Sequence, residues 1–311
     1  MSDSLTQMAG QLLLYCPQCP RDLAELWIRD RWRRACESRH WSFLRTSSVI
    51  HIPAAYSTGT VSITTGTQAV TGSGTVWTSS HVGMQFKVAG KAPVYTISAV
   101  GSNTSLTIDT VWGAPSISSS TYMICQAYSS MPSDFLKFLS CVDTMNFWRM
   151  RTDSYTKEDL DRFDPMRSSS GNPLILAAFQ NTSTGQAQYE MWPHPVTQRD
   201  YPFTYVKRTA DFGDSSTLPS ILTGDVLVRG ALADLCRWPG PSAETRNPMF
   251  DLRLSSSYEL EFIHCLGEAG RQDNEIYQTD LSYQNWPLAP VNAAFAQSHA
   301  MMEPDTFFNN Y

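Results

Sequence analysis

The residues best suited to chemistry in this chain are Cys16-Pro17-Gln18-Cys19, followed by Cys36 and His40. Three thiols and an imidazole at that spacing resemble a zinc site on paper. If Pro20 to Trp41 forms one helix at ~1.5 Å per residue, however, Cys36 lies roughly 25 Å along the axis from Cys19, too far to share an ion. The expectation is therefore a loop plus buried thiols, with no metal. Gly72-Ser73-Gly74 misses the Gly-x-Ser-x-Gly elbow by one position and sits in a Ser/Thr-rich turn region. Glu158, Asp159 and Asp161, or Asp211 with Asp214, could in principle supply glycosidase carboxylates, but acids this close in polar sequence read as solvated surface. No His-Glu-x-x-His, phosphate-binding loop or dinucleotide fingerprint occurs. The residues point to no enzyme, catalytic group or cofactor.

Arginine is the other concentrated resource. Arg29, Arg31, Arg33, Arg34 and Arg39 share one predicted helix, interleaved with Asp22, Glu25, Asp30 and Glu37. Acids at helical spacing weaken a phosphate-tracking stripe, so Arg29, Arg31, Arg33 and Arg34 are expected at a protein interface. The net charge of −6 likewise argues against a chain built to grip nucleic acid. The charge is unevenly spread: residues 1–53 carry +2, 54–125 carry +1 and 126–311 carry −9. No apolar run approaches the ~20 residues that cross a bilayer, and no basic segment leads into an apolar core at the N-terminus, so a soluble protein without an export signal is expected. Seven cysteines, an odd and scattered set, predict reduced thiols rather than a disulfide framework.

These residues need elements to hold them. Residues 57–125 hold 25 Ser or Thr and three charges, Lys87, Lys91 and Asp109, with apolar residues at alternate places: Val61 and Ile63, Phe86 and Val88, Tyr95 and Ile97, Leu106 and Ile108. About six short strands follow, in a small antiparallel sandwich or barrel. The flanks are mixed. Ala24, Trp27, Ile28, Trp32 and Ala35 give Pro20 to Trp41 an amphipathic helix. Pro132 to Leu139 is a short mixed segment, and Gln188 to Trp192 and Pro202 to Val206 are strands. Pro219 to Arg237 and Asn247 to Ala269 are helices, the second ending on Gly270. The fold class expected is α+β: a helical core domain with strands from residues 1–56 and 126–311, and an inserted all-β domain at 57–125. The tail, about 287–311, is interrupted by Pro287, Pro290 and Pro304 yet rich in apolar residues, so it needs a surface to bind; Phe295, Phe307, Phe308 and Tyr311 are its expected contacts.

This order of elements resembles the head-to-tail adaptor, or connector, proteins of the necks of tailed bacteriophages. The likeness is carried by Tyr15-Cys16-Pro17-Gln18-Cys19-Pro20 leading into the arginine-rich helix, and by Gly59 to Ile63, Val70 to Trp77 and Val82 to Phe86, similar to a β domain inserted in phage neck and tail proteins. Tyr128 to Phe135 resembles the return to the core, while Met191 to Pro195, Tyr205 to Arg208 and the helix from Pro219 resemble the family's C-terminal half. Residues 151–172 have no counterpart. The resemblance implies a structural virion protein forming a homo-oligomeric ring, commonly of twelve subunits. Such a ring is assembled in the host bacterial cytoplasm and seated between the portal protein and the tail tube, nozzle or other tail proteins. Genome DNA would touch it only transiently and non-specifically in the channel, and no membrane is involved. An acidic wall suits DNA that must slide. The rival reading is a carbohydrate- or receptor-binding tail module, in which Trp77, Tyr95 and Trp112 of the β domain would stack on sugars.

Overall fold

A computed structural model describes residues 4–278 apart from 92, 153, 183, 184 and 243. Two helices, α1 (Leu5–Tyr15) and α2 (Arg21–Glu37), precede strand β1 (Arg45–Ile52). Seven strands follow: β2 (Thr60–Ile63), β3 (Ala69–Ser73), β4 (Gln85–Val88), β5 (Tyr95–Ser102), β6 (Ser105–Ile108), β7 (Ile117–Ser120) and β8 (Tyr122–Cys125). Next come β9 (Tyr128–Ser130), β10 (Phe135–Asp143), β11 (Trp148–Arg149), α3 (Lys157–Phe163) and β12 (Ser170–Gly171). The last strands are β13 (Ile175–Asn181), β14 (Ala187–Trp192), β15 (His194–Pro195) and β16 (Arg199–Lys207), before α4 (Gly224–Arg237) and α5 (Leu252–Gln278). The class is α+β, as the sequence predicts. None of the described helices is long and apolar enough to cross a membrane.

The chain divides into two compact units, Met1–Trp41 with Asp211–Tyr311, and Ser42–Ala210. These boundaries differ from the expected cuts at 56 and 126, and strand pairing is the reason. β1 pairs along its whole length with β16, which pairs with β10, tying residues 45–52 to 135–207. A shift in Ser/Thr content marks the surface of the β segment, whereas backbone pairing decides which residues fold together.

In the helical unit, α1 starts on a capping box: Ser4 Oγ accepts from Gln7 N and Gln7 Oε1 accepts from Ser4 N. Leu5, Met8, Ala9 and Leu12 line its buried stripe. The sequence reading overlooked this helix. α2 stops at Glu37 instead of Trp41, and the Trp41 indole donates to Ala35 O at 2.7 Å across the terminus. α4 begins at Gly224 because Pro219 to Leu222 close a turn, Leu222 N donating to Pro219 O. α5 begins at Leu252 because Asn247 is used elsewhere, its Nδ2 donating to the carbonyls of Leu235 and Trp238, while Asp251 Oδ1 accepts from Arg253 N and Leu254 N as the cap. Gly270 lies inside α5, where the Arg39 side chain packs against it, so it terminates nothing.

In the strand unit, residues 60–125 build a seven-stranded sheet in the order β7-β2-β3-β6-β5-β4-β8, antiparallel throughout. β7 and β8 end that order but are consecutive in the chain, so the sheet curls. Its core contains Val61, Ile63, Val70, Phe86, Ile97, Leu106 and Ile124. A four-stranded sheet, β1-β16-β10-β11, and a three-stranded sheet, β13-β14-β9, share a second core. That core is aromatic, with the Phe138 ring 4.9 Å from Tyr189 and 5.3 Å from Phe203.

Candidate interface residues and a buried polar cluster

Helix α2 turns its arginines in different directions. Arg31 is 0% exposed. Its Nε and Nη2 donate to the two carboxylate oxygens of Asp234, each at 2.6 Å, its Nη1 reaches Glu259 at 2.8 Å, and its guanidinium lies 5.2 Å from the Phe262 ring centre. One bidentate fork thus joins α2 to α4 and α5 inside the helical unit. Burial pushes the Arg31 pKa down, but these two carboxylates outweigh it and hold the guanidinium charged above its ordinary range. The expected interface role for Arg31 is therefore corrected: it is a core ion cluster, reached by no partner. Arg29 is half-buried, donating to Phe212 O and pairing with Glu25. Arg33 and Arg34 face solvent, Arg33 bridging Asp30 and Asp211. Of the four arginines expected at an interface, Arg33 and Arg34 have the exposure that role requires. Phe295, Phe307, Phe308 and Tyr311 lie outside the described residues.

The other sequence candidates resolve into architecture. Cys16, Cys19 and Cys36 are buried, and burial first, then Cys16, pushes the Cys19 thiol up to about 11. None of the seven cysteines forms a disulfide. Among the described residues no group of three or more His, Cys, Asp and Glu could hold a metal ion. Asp159 belongs to the capping box that Thr156 makes at the start of α3, and Asp214 accepts from the backbone and hydroxyl of Thr6. Trp77, Tyr95 and Trp112 are buried in the curled sheet, Trp77 donating to Tyr122 Oη and Trp112 to Pro115 O. No sugar can stack on rings so enclosed.

Sequence reasoning missed the most concentrated polar chemistry of the strand unit. Glu190 on β14 and His194 on β15 are each 1% exposed, and Arg167, Cys125, Gln85 and Asp164 are buried with them. Arg167 grips both oxygens of Glu190 through Nε and Nη2, at 2.5 and 3.2 Å, and reaches Asp161 at 2.5 Å. His194 Nε2 stands 3.4 Å from Glu190, and its Nδ1 3.8 Å from Cys125 Sγ. Since a carboxylate only accepts, Nε2 carries the imidazole proton and Nδ1 faces the thiol as acceptor. Lys87 Nζ donates to Arg167 O at 2.8 Å, and Gln85 Oε1 accepts from Ala127 N and Tyr128 N. Lys87, Gln85 and Cys125 belong to the curled sheet, so the cluster ties that sheet to the strands that follow it.

The order Cys–His–Glu has the connectivity of a nucleophile, base and orienting acid, but its electrostatics are inverted for that task. Burial drives the Cys125 thiol up to about 12, keeping it protonated. Burial also lowers the His194 pKa, and Lys87 and Arg167 add to this while Glu190 opposes it. Burial would raise Glu190, yet its hydrogen bonds to His194 and Arg167 prevail and keep it ionised. A buried neutral thiol facing a buried neutral imidazole lacks the thiolate that such chemistry uses, and the cluster joins the strands that carry its members. No sequence signal marks it, because its members span residues 85 to 194 and meet only through sheet pairing.

No protein-family model matches the chain, and no curated protein matches it.

Proposed function

We propose that this chain is a structural virion protein, the subunit of a head-to-tail adaptor ring that attaches to the portal vertex and joins it to the tail, with genome DNA passing through the channel. The supporting observation is a wealth of contact surface beside chemistry that is locked away. Leu14 on α1, Leu26 on α2, and Leu260 and Ile263 on α5 are exposed, Arg33 and Arg34 of α2 are exposed as well, and the strand unit exposes Met145 and Phe147. Large apolar side chains and arginines of this kind anchor protein interfaces. In this reading residues 57–125 are an inserted β domain, held at its root by the cluster around Glu190, and the role is mechanical rather than catalytic. The acidic balance of residues 126–311 favours DNA that passes without sticking. Electron microscopy of the purified protein mixed with portal tests the reading: a ring matching the portal's symmetry is expected, and separate particles with no ring sink it.

A further inference from the structure

The Cys16-Pro17-Gln18-Cys19 segment takes no part in the contacts proposed above, yet it forms the corner between α1 and α2. Cys16 ends α1, its N–H donating to Leu12 O at 3.3 Å, and Cys19 N donates back to Cys16 O at 3.0 Å. That second bond closes a four-residue turn with Pro17 at its second position, where the fixed φ of proline suits the turn and stiffens it. A turn of this kind brings the Cα atoms of its first and last residues within about 7 Å, and a disulfide requires about 4.4–6.8 Å. The two thiols sense each other: burial first, then the charge of Cys16, pushes the Cys19 thiol up to about 11. Cys36 lies far from both, about 25 Å along α2 from Cys19. Tyr15, Pro17, Gln18 and Pro20 are exposed, whereas Cys16 and Cys19 are buried, so the sulfurs sit one layer beneath a surface turn.

Chemistry separates two uses of such a pair. A catalytic Cys-x-x-Cys presents an accessible thiolate of lowered pKa, but here the thiols are covered and Cys19 Sγ keeps its proton, donating to Pro20 O at 3.5 Å. A pair that closes once and stays closed needs proximity, a stiff backbone and shelter from reductants instead. We infer that Cys16 and Cys19 are an oxidation site, joined by a low-molecular-weight disulfide such as glutathione disulfide into an intrachain bond that fixes the corner between α1 and α2. One thiolate of the pair attacks a sulfur of the oxidant, forming a mixed disulfide and expelling a thiolate. The other thiol gives up its proton, attacks the protein sulfur of that mixed disulfide and expels the second thiolate. Two protein thiols thus lose two electrons, the oxidant gains them, and the two protons end on the thiols released. Because the sulfurs are covered, the reaction waits on opening of the turn, and the closed bond is then shielded in the same way. Such a bond stays open in a reducing compartment and closes in an oxidising one. α1 buries Leu5, Met8, Ala9 and Leu12 and packs on α2 and α4, so what the bond secures is the seat of the first helix. The site is independent of the ring reading and stands or falls separately.

Trypsin isolates the site, since Met1 to Arg21 is a single tryptic peptide whose cysteines are Cys16 and Cys19. The full chain, purified reduced, is incubated without denaturant in a glutathione buffer poised at about −200 mV, then alkylated, digested and weighed. The expected product is a 1–21 peptide that carries no alkyl group and is about 2 Da lighter than its reduced form, from a protein with unchanged circular dichroism. Cys16→Ser and Cys19→Ser should each lose that product. A wild-type peptide that stays doubly alkylated overturns the inference, as does glutathione held on one thiol without ring closure. A bond from either thiol to Cys36, Cys236 or Cys265 overturns it as well. Closure only after urea has unfolded the chain, or closure accompanied by loss of the helical signal, assigns the bond to the unfolded chain and overturns it too.

Discussion

Arg31 shows how one residue changes meaning between sequence and structure. As a letter in an arginine-rich helix it belongs with Arg33 and Arg34, and no acid stands three or four residues from it on the helix. Its partners Asp234 and Glu259 lie about 200 residues further on, beyond the reach of any spacing argument. Removing one member of a buried ion cluster leaves the others uncompensated, so Arg31→Ala is expected to cost about 3–5 kcal/mol of stability, whereas Arg34→Ala should stay within about 0.5 kcal/mol. Urea titrations followed by circular dichroism compare the two directly, and equal midpoints would refute the assignment. The Glu190 cluster makes a second prediction at this scale. His194 is held below its ordinary pKa of 6.5 in the folded chain, so as pH falls the unfolded chain takes up the proton first. Stability is therefore full above pH 6.5 and declines below it until the lowered folded pKa is passed. Glu190 and Asp164, the latter near 2, are also depressed, so the loss continues as pH falls through the carboxylate range. Denaturation midpoints measured from pH 7.5 down to pH 4 should decrease, with a shallower fall between 6.5 and 5 in His194→Gln. A midpoint independent of pH over this range would contradict the burial of neutral His194.

Elements with a strong apolar period were legible: α2, the strands around Val61, Phe86 and Tyr95, and the bodies of α4 and α5. Their ends were not, because they depend on side chains that choose between capping and bridging, as Asn247 and Asp251 do at the start of α5. α1 escaped notice although Ser4 and Gln7 spell a capping box. β10 was read as a short mixed segment because its irregular pairing with β16 breaks the alternation of buried residues. Packing between elements is tight at Gly230, on the face of α4 toward α2 and α5. A Cβ there would lie 2.8 Å from Arg31 Cδ and 2.9 Å from Phe262 Cδ2. Helix propensity alone favours Gly230→Ala by up to about 1 kcal/mol, but overpacking costs about 1–3 kcal/mol and the neighbours are themselves buried. The crowding should prevail, giving a net loss of about 1 kcal/mol that thermal melting can detect; a stabilised variant would mean that Arg31 gives way freely.

For the whole molecule, composition located the curled sheet, whereas Ser/Thr content says nothing about where β1 finds β16. The curled sheet has its own core, separate from the aromatic core of the other strands. Replacing residues 58–124 by a short Gly/Ser linker should therefore leave a chain that keeps its helical circular dichroism and melts cooperatively. An insoluble product without helical signal would show that the sheet is indispensable to the rest.

The helical unit is assembled from both ends of the sequence, with all of residues 42–210 between its halves. At about 5–20 residues per second on the ribosome, α1 and α2 emerge roughly 10–40 s before α4 and α5 exist. Throughout that interval Ile28, Trp32 and the Arg31 guanidinium have none of their final neighbours from α4 and α5. Synthesis thus completes the strand unit first, and the nascent chain carries an unsatisfied helical hairpin until its last third appears, which is the period when a chaperone would find most to hold.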